Sequence, residues 1–139
     1  SRGLGDVYKR QANNRVTPKL LVALMKSAAD PNSDIASLTT YMATSGDGGT
    51  LGGRFIAYNS VTKRNELVIP SGSIRAKTGY IGGLYSLSGL ITTSGPAPHT
   101  IAFAIFARSD SANKKYVGYG TKDAIDGIVE KLYLCGPSL

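Results

Sequence analysis

Three segments of alternating character, residues 72–80, 84–93 and 100–108, constrain this chain more than any other feature. In the second, Tyr85, Leu87, Gly89 and Ile91 share one face of an extended chain. In the third, Ile101, Phe103 and Ile105 do the same. The turn-rich stretch "SGPAPH" separates them. The pattern reads as a three-stranded antiparallel meander, with the 72–80 strand expected at its edge.

Helices flank the meander. Thr17 is a good N-cap and Pro18 fits the first helical position, where its missing N–H costs nothing. Leu20, Leu21, Leu24, Met25 and Ala28 then repeat at helical spacing until Asp30-Pro31 stops the run. A shorter helix is expected over 34–42, with Ile35, Leu38 and Met42 inward. "SGDGGTLGGRF" reads as a glycine-rich loop, and "IAYNSVTKRNELVIPSGS" as an exposed excursion. A last helix is expected over 121–133, packing Ala124, Ile125, Ile128, Val129 and Leu132 on the sheet. The class is α+β.

With 139 residues the chain suffices for one modest domain and one core. Its 42% hydrophobic content argues against disorder. No stretch reaches the roughly 18 apolar residues of a transmembrane helix. The net charge of +7 suits an acidic partner, but the basic residues are scattered without runs, so nucleic-acid binding is not expected. The single cysteine, Cys135, allows no internal disulfide and no cysteine-based metal site. Residues 1–11, "SRGLGDVYKRQ", have no period and look like translated adaptor sequence, a non-native or disordered tail before residues 12–139.

The chemistry concentrates in "RAKTG". Lys77 and Gly79 share one strand face and Thr78 takes the other. A lysine in an apolar sheet core is costly unless paired. On a strand that lines a cleft it is useful: the ammonium stabilises a carboxylate or a hydroxyl anion, the threonine hydroxyl binds a carboxylate, and glycine lets a substrate approach closely. The plainer alternative is that edge strands carry lysine to deter aggregation. The tripeptide by itself leaves both readings open.

Lys-Thr-Gly is one of three signatures of penicillin-binding proteins and serine β-lactamases, beside Ser-x-x-Lys and Ser-x-Asn. Here it comes with "NNRVTPKLLVALM", "SGDGGTLGGRF", "IRAKTGYIGGLYSLSGLITTSG" and "HTIAFAIFARS", in one order and spacing. Together they resemble the C-terminal part of the D-alanyl-D-alanine carboxypeptidase/endopeptidase family, the class C low-molecular-mass penicillin-binding proteins. The segment "NSVTKRNELVIP" looks longer than the family pattern, as a local insertion would.

The resemblance implies a β-lactamase/transpeptidase-like fold: an antiparallel sheet flanked by helices, with the Lys-Thr-Gly strand facing a helix that bears the nucleophilic serine. It implies acyl-enzyme chemistry on the peptides of peptidoglycan, β-lactam antibiotics as inhibitors, an extracytoplasmic location, and no metal or cofactor. Lys77 would belong to the polar network around the nucleophile, Thr78 would bind the substrate carboxylate beside Gly79, and the Tyr80 backbone N–H would be one oxyanion-hole donor. A β-lactamase of the same superfamily, or a non-catalytic peptidoglycan-binding module, are the alternatives.

The nucleophile itself is not legible. Ser60-Val-Thr-Lys63 and Ser111-Ala-Asn-Lys114 match Ser-x-x-Lys, and the latter also Ser-x-Asn. The mechanism needs serine and lysine one turn apart on a helix face. Both matches sit in polar, turn-like stretches, and the family places the two missing signatures before Asn13, so neither is expected to be catalytic. "GSIRAKT" lacks the spacing of a phosphate-binding loop. "GDGGTLGG" reads as a structural turn rather than an anion nest, with Asp47 too isolated for acid–base work. His99 reads as a solvated turn residue, which leaves no Ser-His-Asp triad. Tyr85, Tyr116 and Tyr119 read as packing or surface aromatics, with Tyr116 able to border the cleft.

Overall fold

The computed structural model describes residues 15–94, 96–108 and 117–136, with side chains from 120 onward in the last of these. The tail at 1–11, the Ser111–Lys114 motif, Tyr116 and the side chain of Tyr119 lie outside the described residues.

Helix α1 spans Pro18–Ala29. Thr17 is extended and its Oγ1 accepts from the Leu20 N–H at 3.2 Å, which supplies the cap that the sequence called for. Asp30 is extended before Pro31, and its carboxylate turns the chain by accepting from the Asn32 N–H at 2.9 Å. Met25 and Ala28 are buried, whereas Leu20 and Leu24 stay 59% and 39% exposed, so only part of the expected stripe is covered.

The helix expected over 34–42 is instead a 3-10 helix, Ala36–Tyr41. "SLTT" explains the tightening. Two β-branched threonines crowd an α-turn, and the Thr39 hydroxyl bonds back to the Ala36 carbonyl at 3.0 Å. Leu38 and Met42 still point inward, against Met25 and Leu90.

Four strands form the main sheet in the order β1 (Ala43–Thr44), β4 (Ile74–Ile81), β5 (Leu84–Thr92), β6 (Thr100–Arg108), all antiparallel. The meander of β4, β5 and β6 falls where alternation placed it. Its edge does not: β1 pairs Ala43 with Ala76 and Thr44 with Arg75, beyond the strand expected at the edge. A two-residue strand is too short to show any period. Past Ala76, β4 has no further strand partner on that side among the described residues.

The excursion after the glycine-rich loop is a separate hairpin, β2 (Ile56–Asn59) and β3 (Arg64–Leu67), exposed along nearly its whole length. Asn59 Oδ1 holds its turn by accepting from the Val61 N–H at 2.9 Å, and Lys63 completes the turn at φ 57°.

The last helix, α2 (Val117–Cys135), lies on one sheet face. Ile125, Val129 and Tyr133 pack against Ile74, Ala76, Leu87, Ile91 and Phe103, with Leu132 at the margin. The helix is rotated from the expected stripe: Ala124 is exposed and Ile128 is 49% exposed, because Tyr133 rather than Ile128 completes the buried row. Leu51, Phe55 and Ile69 close the same core from the loops. On the opposite face α1 covers only the Leu90–Ala102 end.

Gly89 stands where β5 meets Ala76 of β4. A Cβ there would come within 2.6 Å of the Ala76 Cα, so the two strands can approach only over glycine.

Candidate active site

Strand β4 presents its groups by parity. The Ile74 carbonyl accepts from the Ser45 N–H at 3.0 Å, and its N–H donates to Ser45 Oγ at 3.2 Å, so Ile74 faces the β1 side. The Ser73 carbonyl accepts from the Thr92 N–H at 2.8 Å, so the odd positions face β5. Continued along the strand, this alternation aims the N–H and C=O of Thr78 and of Tyr80 out of the sheet, where β1 has already ended.

The side chains alternate the other way. Ala76 and Thr78 lie on the α2 side, and Lys77 and Gly79 on the opposite face. Cross-strand pairing brings Ser88 beside Lys77 and Ser86 beside Gly79. That face is therefore polar at the Lys77 end and apolar at the Leu90 end, which is why α1 sits at the latter. A Cβ on Gly79 would collide with Ser86 Oγ, so glycine is what admits that hydroxyl to the face.

Lys77 is exposed, and its Nζ donates to the carbonyl oxygen of Thr78 at 2.8 Å. Thr78 and Gly79 are half-buried, and Tyr80 is 66% exposed. Tyr80 leans on its partner Tyr85 with ring centroids 4.6 Å apart. Desolvation, with Tyr80 beside it, pushes the Tyr85 phenol above its usual range. All four residues singled out from the sequence, Lys77, Thr78, Gly79 and Tyr80, thus lie on the stretch of β4 past the end of β1, which has no outer strand partner among the described residues.

Beside this edge lies a cavity of about 480 Å³, bounded by Thr78 and Tyr80, by Gly53 and Arg54 of the glycine-rich loop, and by Lys122 and Asp126 of α2. Arg54 forks onto Asp126. Its Nε donates at 2.9 Å and 3.2 Å to the two carboxylate oxygens, and its Nη2 adds a third bond to Oδ1. Both side chains are largely buried, at 13% and 14% exposed. The guanidinium also lies over the Phe55 ring, 5.6 Å from its centroid. Phe55 is a buried core residue at φ 58°, an uncommon conformation for a bulky side chain, held by packing on every side.

Arg54, Asp126, Ser86 and Ser88 were not singled out from the sequence. The serines had a signal, since they occupy the strand face opposite Tyr85 and Leu87. The ion pair had none, because 72 residues separate its members.

The remaining motifs stay outside the site. Ser60 lies in the exposed hairpin turn, and Lys63 is in the left-handed region, so this Ser-x-x-Lys is not on a helix. His99 is exposed, joined through its backbone to Thr93. Asp47 is exposed as well. Among the described residues no group of three or more His, Cys, Asp or Glu is placed to hold a metal ion, and no helix is long and apolar enough to cross a membrane.

A curated relative from Mycobacterium tuberculosis, named as a carboxypeptidase, is 33% identical over 125 residues, covering 89% of this chain and 24% of the relative. The solved structure of penicillin binding protein 4 from Haemophilus influenzae superposes with a TM-score of 0.57 at 20% identity, over 94% of this chain and 30% of that one. The fold is therefore that of a penicillin-binding protein, and the chain spans about a quarter of the curated relative. A sequence model of the D-Ala-D-Ala carboxypeptidase 3 (S13) family matches residues 11–132. The chain belongs to the D-Ala-D-Ala carboxypeptidase 3 (S13) family.

Proposed function

We propose that residues 12–139 are the C-terminal part of the catalytic domain of a serine-type D-Ala-D-Ala carboxypeptidase/endopeptidase. It acts on peptidoglycan peptides outside the cytoplasm and is acylated by β-lactams. The observation that carries this reading is the end of β4 that has no outer strand partner among the described residues, where exposed Lys77 and the outward N–H of Tyr80 meet one edge.

In this reading a serine on a helix over the Lys77 face attacks the carbonyl carbon of the D-Ala-D-Ala bond. Its Oγ forms an ester, the C–N bond breaks, and the electron pair stays with the leaving amine. That amine takes the proton given up by the hydroxyl. Water then cleaves the ester. The Tyr80 N–H donates to the carbonyl oxygen as negative charge develops there, and Thr78 Oγ1 binds the terminal carboxylate. Lys77 supplies positive charge to the nucleophile's network, with Ser86 and Ser88 as a polar floor. The serine would come from chain outside the described residues. The gene's full-length product should release D-alanine from a D-Ala-D-Ala-terminated stem peptide, and penicillin should abolish the release. A full-length product that retains its activity under saturating penicillin would refute the reading.

A further inference from the structure

We propose that the β2–β3 hairpin is a docking arm that dips its tip into an anionic lipid surface. The proposal does not rest on the acyl-transfer reading above.

The arm stands clear of the site. No residue from 56 to 67 lines the cavity beside β4, and all of them except Asn59 are exposed. Its base is nevertheless firmly planted. The Val68 N–H donates to the Phe55 carbonyl at 2.8 Å, and Phe55 and Ile69, which flank the hairpin, are buried in the core. What the arm holds up is apolar. Val61 in the turn is 87% exposed, and Tyr58 just below it is 63% exposed. Opposite residues of an antiparallel pair share a face, so Tyr58, Ile56 and Leu67 line one side of the ribbon. A lone exposed valine needs no explanation, but an apolar tip above an apolar side does.

Charge selects the partner. Lys63 and Arg64 follow Val61 at the tip, and neither has an ion-pair partner among the described residues. The acid of the arm, Glu66, lies two residues further down β3, about 7 Å from Arg64 along the strand. Its carboxylate is taken up by Thr62 Oγ1 and Asn59 Nδ2. The end of the arm is therefore cationic around an apolar point. That is the complement of an anionic headgroup layer over an acyl interior. The net charge of +7 on the whole chain adds to the attraction.

The tip is also prepared to leave water. Backbone donors that lose water without gaining a partner are costly. Here Asn59 Oδ1 accepts from the N–H groups of both Val61 and Thr62, at 2.9 Å and 3.3 Å. The Thr62 hydroxyl is satisfied by Glu66. Entry of the turn into the interface thus strands neither donor.

Other occupants fit less well. A second copy, meeting this one tip to tip across a two-fold axis, would set Lys63 and Arg64 against their own kind. A polyanionic polymer calls for a row of cations and leaves Val61 and Tyr58 in water.

Sedimentation of the full-length product with lipid vesicles tests the proposal. It should bind vesicles of phosphatidylcholine mixed with phosphatidylglycerol about fivefold or more tightly than vesicles of phosphatidylcholine alone. The double variant Lys63→Gln/Arg64→Gln should lose about tenfold or more of that binding, at roughly fivefold per cation, with its thermal unfolding unchanged. Val61→Trp should bind severalfold more tightly than the wild type, because an indole settles at the headgroup level. Absence of binding, equal affinity for the two vesicles, or a double variant that binds like the wild type would overturn the proposal. So would self-association, or retention on insoluble peptidoglycan, that the double variant loses while vesicles are not bound. If the double variant fails to fold, Val61→Trp decides, and binding no tighter than the wild type overturns the assignment.

Discussion

Lys77 folds its ammonium onto the carbonyl oxygen of Thr78, 2.8 Å away, on the edge of β4 past the end of β1, where no further strand pairs among the described residues. The bond satisfies the lysine locally and keeps it at the open edge. Such a lysine contributes little to folding, because it is exposed and its partner carbonyl can turn to water. Lys77→Ala should therefore change stability by no more than about 0.5 kcal/mol. In the full-length product it should slow acylation by penicillin and by D-Ala-D-Ala peptides roughly ten- to a hundredfold, the cost of a charge-assisted hydrogen bond of about 1.5–3 kcal/mol. Lys63→Ala, in the exposed hairpin turn, should leave the rate unchanged. Stopped-flow acylation beside denaturant unfolding separates the two effects. An equal loss at Lys63 would return Ser60 to the list of nucleophiles.

The Arg54–Asp126 fork joins the glycine-rich loop to the last helix, and both side chains are about six-sevenths buried, being 13% and 14% exposed. Removing either partner strands the other in a poorly hydrated place. Arg54→Ala and Asp126→Ala should each cost about 1.5–3 kcal/mol. The double variant should cost less than the two together, with a coupling of about 1 kcal/mol or more. Chemical unfolding of the four proteins checks it, and strict additivity would show that the pair does not tie the loop down.

The hairpin gives a prediction that does not depend on function. Glu66 accepts hydrogen bonds from Thr62 Oγ1 and from Asn59 Nδ2, the latter at 2.7 Å. The Thr62 bond, then the Asn59 bond, holds its carboxyl below the usual value of 4.5. A depressed carboxyl stabilises the fold above its unfolded pKa, and the contribution is lost as pH falls through the folded one. Hairpin order should accordingly fade only as pH falls below the ordinary glutamate range. Thr62→Val should raise the Glu66 pKa toward its ordinary value and move that fading to higher pH. NMR titration of the Glu66 side chain measures both, and an unshifted pKa in Thr62→Val would contradict the bond.

Much of this architecture was legible because it is periodic or locally punctuated. The alternation in β5 and β6, the Thr17-Pro18 start of α1 and the Asp30-Pro31 stop each depend on a few adjacent residues. What escaped was set by tertiary contact. Strand β1 has two residues and exists because Ser45 finds Ile74. The Ala36–Tyr41 segment tightens under its own threonine hydroxyl. Helix α2 turns so that Tyr133 enters the core, although Ile128 looks the better core residue in sequence. The site divides in the same way. Lys77 to Tyr80 form a continuous motif, whereas the walls of the adjoining cavity come from β4, the loop near Gly53 and the helix around Asp126.

Covalent labelling by a fluorescent penicillin, followed by denaturation and mass mapping, tests the central claim most directly. Acylation needs a serine, an activating lysine and the oxyanion donor within hydrogen-bond reach of one another. Among the described residues Lys77, Thr78 and the Tyr80 N–H meet at one edge, and no Ser-x-x-Lys lies on a helix facing them. The 139-residue chain alone should retain no dye, and the gene's full-length product should retain one dye on a serine outside residues 12–139. Stoichiometric labelling of the 139-residue chain at Ser60 or Ser111, or a full-length product that takes up no dye, would contradict the account.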